Sequence, residues 1–130
     1  MIKIRRKGVA IVETPRGILM VAGKDRKFTL PGGGANNGEN REVAAIRELY
    51  EETGLRTKSS KYLFSCIGHK WRTLTGRKVV NYCKVFLIKT SGKPKAGNEI
   101  KHLAFWKPGS KITISPRTKK IIEKYNNAYK

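Results

Sequence analysis

Five of the nine acidic residues in this 130-residue chain are glutamates that lie close together, between positions 39 and 52. Three of them, Glu48, Glu51 and Glu52, have the i, i+3, i+4 spacing of neighbours on one arc of a helix. Carboxylates crowded in this way repel one another and destabilise an isolated helix. A hard divalent cation with oxygen ligands would offset the repulsion, so the spacing predicts a metal site.

A solvated acidic face is the alternative interpretation of such a run of glutamates. Lysines would be the expected partners on that face, yet no lysine lies between Lys27 and Lys58. This shortage of partners favours the metal site.

The three carboxylates are predicted to lie on a helix from Arg41 to Thr53. Asn40 suits the N-cap of this helix, and Gly54 suits a left-handed C-cap. With successive residues about 100° apart, six residues share a separate side that is expected to be buried: Val43, Ala45, Ile46, Leu49, Tyr50 and Thr53.

A glycine-rich segment, Pro31–Gly34, precedes the helix and follows Phe28–Leu30. Glycine adopts backbone conformations that are costly for other residues, so a loop is expected here. The Gly-Lys-Ser/Thr sequence of a P-loop does not follow, and the dinucleotide-binding fingerprint is absent as well.

The rest of the pattern predicts strands around this helix and a second helix near residue 116. Strands are expected at 8–14, 18–22, 62–69, 79–88 and 100–107, with turns or loops at 15–17, 72–78 and 91–98. Ser115 and Pro116 would begin a final helix that carries Ile121, Ile122 and Tyr125. Strands combined with helices in this order predict one α/β (α+β) layered domain over residues 1–130.

The spacing from Gly33 to Leu55 resembles the signature of the Nudix hydrolase family, the MutT-like enzymes. Gly33 is followed by five residues and Glu39, then by seven residues and the run Arg47-Glu48-Leu49-Tyr50-Glu51-Glu52-Thr53-Gly54-Leu55. The signature is matched at every specified position. The resemblance implies the Nudix fold, a mixed β-sheet sandwiched between α-helices, and a hydrolase that acts on phosphoanhydride bonds.

The resemblance also implies roles for the residues of this segment. Glu48, Glu51 and Glu52 become the candidate ligands of Mg²⁺, or of Mn²⁺ in its place, while one of them could instead activate the attacking water. Glu39 and Arg47 become a pair that holds the helix against the glycine loop.

Three further positions are assigned to the site by the same resemblance. A backbone carbonyl near Gly33 is the implied extra metal ligand, and Gly34 is placed on the substrate side of the loop. Glu99 precedes the last strand, where the family often has another metal ligand or base. A lone surface glutamate is the alternative for Glu99.

Lys70, Trp71 and Arg72 form a candidate substrate-binding strip. An indole between two cations suits stacking on a base while the cations meet phosphates. The alternative is a tryptophan that packs at a strand end. His69 and His102 have no metal-ligand spacing and are interpreted as surface or structural histidines.

The chain is strongly basic, with 29 Lys and Arg against 9 Asp and Glu and a formal net charge of +20. Outside residues 39–52 there are 27 basic and 4 acidic residues. A cationic body concentrates polyanions and speeds their encounter. The expected partner is therefore a polyanionic phosphorylated small molecule, and RNA is a further candidate.

Composition indicates a cytoplasmic protein without membrane insertion. The apolar runs are too short to span a bilayer, and Glu13, Pro15 and Arg16 interrupt the run that follows the basic start. Cys66 and Cys83 have no metal spacing, so reduced structural thiols in an intracellular protein are expected.

Three functional hypotheses follow. The first is a Mg²⁺-dependent pyrophosphohydrolase that converts a nucleoside triphosphate, oxidised ones included, to the monophosphate and diphosphate. The second is a hydrolase of a more highly phosphorylated substrate: a dinucleoside polyphosphate, a diphosphoinositol polyphosphate or a 5′-triphosphorylated RNA. The third is a module that binds RNA or nucleotide without turnover, which would not need three clustered glutamates.

Overall fold

The computed structural model describes residues 2–129, apart from the side chain of His69. Its elements in chain order are β1 (Ile2–Ile11), β2 (Glu13–Thr14), β3 (Gly17–Ala22), β4 (Gly32–Gly34), α1 (Arg41–Thr53), β5 (Arg56–Arg72), β6 (Lys78–Ser91), β7 (His102–Trp106) and α2 (Pro116–Tyr129).

The strands form two sheets. The larger sheet is mixed and has the order β4-β1-β6-β5, with β1 parallel to β6 and the other neighbours antiparallel. The smaller sheet is antiparallel and has the order β2-β3-β7. The predicted mixed sheet is therefore present, and the last strand belongs to a separate sheet with β2 and β3.

The sheets lie between the two helices because neighbouring strand residues point to opposite faces. On β1, Val9 and Ile11 pack in the cluster that includes Ile121 and Ile122 of α2. Ala10 of β1, and Val12 just after the strand, pack instead in the cluster that includes Ala45 and Leu49 of α1. The α+β fold class with helices on both faces is confirmed.

The local signals for α1 gave its bounds correctly. The helix spans Arg41–Thr53, the side chain of Asn40 accepts a hydrogen bond from the Val43 N–H, and Gly54 has a φ of 73°. That positive φ is the left-handed C-cap conformation that favours glycine.

The predicted buried face of α1 was partly wrong. Val43 and Tyr50 are each 47% exposed, whereas Ala44, which was not predicted, is fully buried. A Cβ atom at Gly8 of β1 would overlap the backbone carbonyl oxygen of Arg41. The helix lies this close to the strand at Gly8, where small Ala45 forms the contact, while Val43 and Tyr50 turn outward.

Strand bounds differ more from the predictions than helix bounds. The glycines at 32–34 form strand β4 where a loop was expected, because they pair with β1. β5 begins at Arg56 and ends at Arg72, well beyond the predicted 62–69. Its pairing with β6 contains three register irregularities, and these interrupt the alternation of apolar and polar residues that marks a strand.

Candidate active site

The candidate site lies where β4 and α1 meet. Gly33 of β4 is paired with Gly8 of β1. A Cβ atom at Gly33 would lie 2.6 Å from the carboxyl carbon Cδ of Glu48. Gly8 therefore lets the helix approach the sheet, and Gly33 leaves space for a carboxylate of that helix.

Glu52 is the second carboxylate that faces the glycine strand. Its Oε1 accepts a hydrogen bond of 3.0 Å from the backbone N–H of Gly32. Burial raises the pKa of Glu52 to about 7, and the negative charge of Glu48 adds to this shift, while the Gly32 hydrogen bond and the charge of Lys7 act against it. A partly buried carboxylate whose ionised form is disfavoured in this way is a favourable place for a cation.

Arg47 connects the other three glutamates of the site. It donates to both oxygens of Glu39, from Nε at 2.8 Å and from Nη2 at 3.0 Å. Its Nη1 donates to Glu48 Oε1 and to Glu51 Oε1, each at 3.0 Å. The expected Glu39–Arg47 pair is thus present, and Arg47 also offsets part of the repulsion between the helix carboxylates.

Glu39 fixes the segment that leads into the helix. Its Oε1 also accepts from the backbone N–H of Asn36 at 2.9 Å. The hydrogen bonds from Arg47, followed by the one from Asn36, lower the pKa of Glu39 to about 2. Arg6 of β1 donates to the Glu39 carbonyl at 2.8 Å and ties the same segment to the sheet.

Glu51 lies at the edge of the site, and its side chain is 37% exposed. Besides its contact with Arg47, it is approached by Nδ2 of Asn98 at 3.4 Å. Glu51 therefore faces a loop, whereas Glu48 and Glu52 face the glycine strand.

The loop before β7 packs against the end of α1. The Gly97 N–H donates to the Glu52 carbonyl at 2.9 Å, and the Lys95 N–H donates to the Thr53 carbonyl at 2.8 Å. Glu99 follows this anchored segment and is exposed. The loop thus lies beside the helix, and a catalytic role for Glu99 stays a prediction.

Two cations of β1 lie beside the glycine strand. A Cβ atom at Gly34 would lie 3.0 Å from Nε of Arg5. Gly34 also has a structural role, because its carbonyl accepts a hydrogen bond of 3.0 Å from Arg47 Nη2. Arg5 therefore puts positive charge beside Gly34, and Lys7 puts positive charge near Glu52.

The predicted strip Lys70–Arg72 does not lie at this site. It pairs with residues 78–80 of β6, and Lys78 pairs with Ile2 of β1. Ile2 lies six residues from Gly8, a span of about 20 Å at the usual strand rise. The strip and the glycine strand are therefore at opposite ends of β1.

The residues at the site fit a divalent cation. Glu48 occupies the space that a Cβ at Gly33 would fill, and the Glu52 carboxylate is partly buried and accepts from the backbone N–H of Gly32. Within residues 2–129, no three His, Cys, Asp or Glu side chains are arranged as a ready-made metal cage. Glu48 and Glu52 are the best-placed donors, and backbone oxygens would have to complete the set.

Several contacts at the site were not predicted from the sequence. Arg5, Arg6 and Lys7 precede the first predicted strand, and Asn98 lies in a predicted loop. The alternation Ile2-Lys3-Ile4-Arg5 is a short period-2 signal that would have indicated an earlier start for β1.

The remaining residues singled out earlier lie apart from the carboxylates. His102 is the first residue of β7, and the side chain of His69 lies outside the described residues. Cys66 and Cys83 are free thiols that pair directly across β5 and β6. Their mutual hydrogen bond raises the pKa of Cys66 and lowers that of Cys83 to about 7.

The fold and the site together define a Nudix hydrolase. The family model of the NUDIX domain matches residues 4–125. The chain therefore belongs to the Nudix family, whose members act on pyrophosphate bonds and generally use a divalent metal such as Mg²⁺.

Similar proteins are named for different substrates. The chain is 28% identical to an RNA pyrophosphohydrolase of Baumannia cicadellinicola subsp. Homalodisca coagulata, over 81% of this chain and 79% of that protein. It is 32% identical to an ADP-ribose pyrophosphatase of Methanocaldococcus jannaschii, over 88% of this chain and 69% of that protein.

Similarity to a solved structure agrees with this family. A nudix hydrolase family member from Chromobacterium violaceum superposes with a TM-score of 0.78 at 36% identity, over 96% of this chain and 78% of that chain. In the part of the chain that the structure describes, no helix is both long and apolar enough to cross a membrane.

Proposed function

We propose that this protein hydrolyses a phosphoanhydride bond of a nucleoside 5′-triphosphate, oxidised ones included, to the monophosphate and diphosphate with Mg²⁺. The observation that supports this most is the placement of Glu48 and Glu52 against the glycine strand, with Arg5 and Lys7 alongside. Two carboxylates suit a divalent cation, and two cations suit the phosphates that the cation accompanies.

A bound Mg²⁺ would supply charge neutralisation at the phosphate oxygens and a more acidic water. The chain itself holds the metal-binding carboxylates in position. Arg47 holds Glu48 and Glu51 in fixed directions, and Glu39 holds Arg47. Outer contacts of this kind orient ligands and usually contribute about 10–100-fold to metal affinity or activity.

The proton of the attacking water needs an acceptor. The water oxygen forms a bond to phosphorus, the bridging oxygen leaves with its electron pair, and the proton passes to a carboxylate. Glu52, with a pKa of about 7, and Glu51, which is open to solvent, are the candidates among the three helix glutamates. Exposed Glu99 is a further candidate.

A second candidate substrate is the 5′-triphosphate end of RNA. The observation in its favour is the charge of residues 56–91, which contain nine Lys and Arg and no Asp or Glu. A similar protein bears the name RNA pyrophosphohydrolase. Free and RNA-linked triphosphates present the same reacting group, so one site could accept both.

The test is a product assay with Mg²⁺ on matched substrates. ATP, GTP, 8-oxo-dGTP, ADP-ribose, a dinucleoside tetraphosphate, a diphosphoinositol polyphosphate and a 5′-triphosphorylated RNA would be incubated with the protein and with its Glu52→Gln variant. Release of pyrophosphate from nucleoside triphosphates by the wild type alone is the expected result.

Two outcomes would contradict the proposal. Faster hydrolysis of ADP-ribose or of the diphosphoinositol polyphosphate would move the activity to another substrate class. No turnover of any substrate, together with tight binding of RNA, would favour a binding module. Mn²⁺ is the second ion to try, because it accepts the same oxygen ligands.

A further inference from the structure

The end of the β5–β6 hairpin is a second region with unusual chemistry. It contains Lys70, Trp71, Arg72, Arg77 and Lys78, called here the basic hairpin end. All four cations are exposed, and Trp71 is half-buried. Among residues 2–129, none of these four cations forms an ion pair.

The strand register brings these residues together. Arg72 pairs with Lys78, and Lys78 also pairs with Ile2 of β1. Trp71, Lys70, Arg72 and Lys78 line a cleft of about 330 Å³. A neighbouring cleft of about 450 Å³ is lined by Arg72, Arg77 and Lys78.

The turn that closes the hairpin is held by its own hydrogen bonds. Arg72 Nη1 donates to the Gly76 carbonyl at 3.1 Å, and the Thr73 N–H donates to the Arg77 carbonyl at 2.9 Å. The cations are therefore presented on a defined scaffold, which lowers the entropy that a ligand must remove on binding.

We propose that the basic hairpin end binds single-stranded RNA. The cations would contact successive phosphates, and the indole of Trp71 would stack on a base in the cleft. Stacking on an aromatic ring next to backbone cations is the usual way in which proteins hold single strands. A polyanion suits this surface, because residues 56–91 contain nine Lys and Arg and no Asp or Glu.

Two other occupants are less compatible with the surface. A second copy of this chain that docked through the same surface would bring its own four cations against the four already there. A membrane-binding surface places its aromatic side chains outermost, whereas Trp71 lies in a cleft and only Leu74 projects fully at the turn. Both remain outcomes of the experiment below.

This binding site does not depend on the proposed hydrolase function. The basic hairpin end lies about 20 Å along β1 from Gly8, so an RNA without any phosphoanhydride should bind. If the 5′ end of the same strand reaches the glutamates, about six nucleotides would span the distance at the rise of a helical strand.

The test measures binding of a fluorescent 12-nucleotide RNA with a 5′-hydroxyl, in EDTA, by anisotropy. The variant Lys70→Ser/Arg72→Ser/Lys78→Ser is compared with the control Lys107→Ser/Lys111→Ser/Lys119→Ser. Both variants lose three positive charges, and the control positions are exposed and lie outside the hairpin. Circular dichroism and thermal melting check that both variants fold.

The hairpin variant should bind at least about tenfold more weakly, and its slope of log K against log salt should fall by about 2. The control should stay within about threefold of wild type. Trp71→Leu should bind about 5- to 100-fold more weakly and lose the tryptophan quenching that RNA causes in the wild type. Glu52→Gln should bind normally.

Several results would overturn the proposal. Equal weakening by the hairpin variant and the control would reduce the interaction to general charge attraction. Unchanged quenching in Trp71→Leu would remove the indole from the contact. Binding of phosphatidylserine vesicles without binding of RNA would assign the surface to membranes. A dimer that forms in the wild type but not in the hairpin variant would assign the surface to a second copy.

Discussion

Residues 39–52 and residues 56–91 are neighbours in the chain and opposite in charge. The first segment contains five of the nine acids, whereas the second contains nine cations and no acid. In the first, four of the glutamates are bound or enclosed by Arg47, Gly32 and Gly33. In the second, the cations at the basic hairpin end remain in solvent.

The comparison shows two ways of keeping like charges together. Burial and one shared arginine fix the directions of the carboxylates, which suits chemistry that needs position. The hairpin cations are exposed on a backbone that its own hydrogen bonds hold, where they can meet successive phosphates of a ligand, which suits binding. Changes in the carboxylate segment should therefore alter turnover and stability, whereas changes in the hairpin should alter binding of RNA and leave turnover of a small substrate nearly unchanged.

The largest expected effect is on turnover in Glu52→Gln. The amide keeps the hydrogen bond from the Gly32 N–H but removes the negative charge, so kcat should fall by about 10²–10³-fold or more while the fold remains. Steady-state kinetics with a nucleoside triphosphate measure this. Glu42→Gln, on the same helix, is the matched control and should keep its activity. Full activity in Glu52→Gln would separate this carboxylate from the chemistry.

The next effect is on how the free energy of unfolding of the metal-free protein changes with pH. Glu52 has a pKa of about 7 in the folded state against 4.5 as the ordinary value, so the folded state binds the proton more tightly. The contribution of Glu52 to the free energy of unfolding should therefore be highest below pH 4.5 and should fall as the pH rises to about 7. The full loss is at most about 3 kcal/mol.

Urea denaturation between pH 4.5 and 8 measures this dependence. Glu52→Gln should flatten it, and Mg²⁺ should restore stability at pH 8 in the wild type only. Glu39 acts in a different window, because its pKa is lowered to about 2 and its contribution is lost only as the pH falls below 4.5. An unchanged slope in Glu52→Gln would assign the dependence to another group.

A smaller effect is expected from Arg47. Arg47→Ala removes the shared partner of Glu39, Glu48 and Glu51, and kcat/KM should fall by about 10–100-fold. Arg47→Lys keeps the charge without the planar donor fork, so it should restore only part of the loss. Mg²⁺ titrations of both variants show whether metal affinity changes together with kcat/KM. Complete recovery in Arg47→Lys would mean that charge alone is required.

The smallest effect should be that of the hairpin charges on hydrolysis of a small substrate. The basic hairpin end lies about 20 Å from the glycine strand, roughly twice the Debye length at physiological salt. Lys70→Ser/Arg72→Ser/Lys78→Ser should thus change kcat/KM for a nucleoside triphosphate by less than about twofold. Lys7→Ser, beside Glu52, should reduce it more. Equal losses would show that the two regions act as one.

Helix α1 and its charged pair could be predicted from the sequence because their signals are local. Asn40, Gly54 and the spacing between Glu39 and Arg47 are all read within one short segment. The contact between Gly32 and Glu52 could not be predicted in this way, since it depends on β4 pairing with β1. Nor could the distance between Trp71 and the glutamates, which follows from the length of β1.

The outward turn of Val43 and Tyr50 shows a second limit. Periodicity gives the apolar side of a helix but not the distance to the sheet, and here Gly8 sets that distance. β5 shows a third limit, because its irregular register obscures the alternation by which a 17-residue strand would be recognised.

The long strand β5 also has a consequence for solubility. It is an edge strand of its sheet, and such an edge offers unpaired backbone groups that can recruit another chain into a growing β-aggregate. Lys58, Lys61 and Lys70 lie along it, and three register irregularities interrupt it. Lysines and bulges are the usual means of preventing that association. The cations of the hairpin would therefore protect the protein from aggregation even when no polyanion is bound.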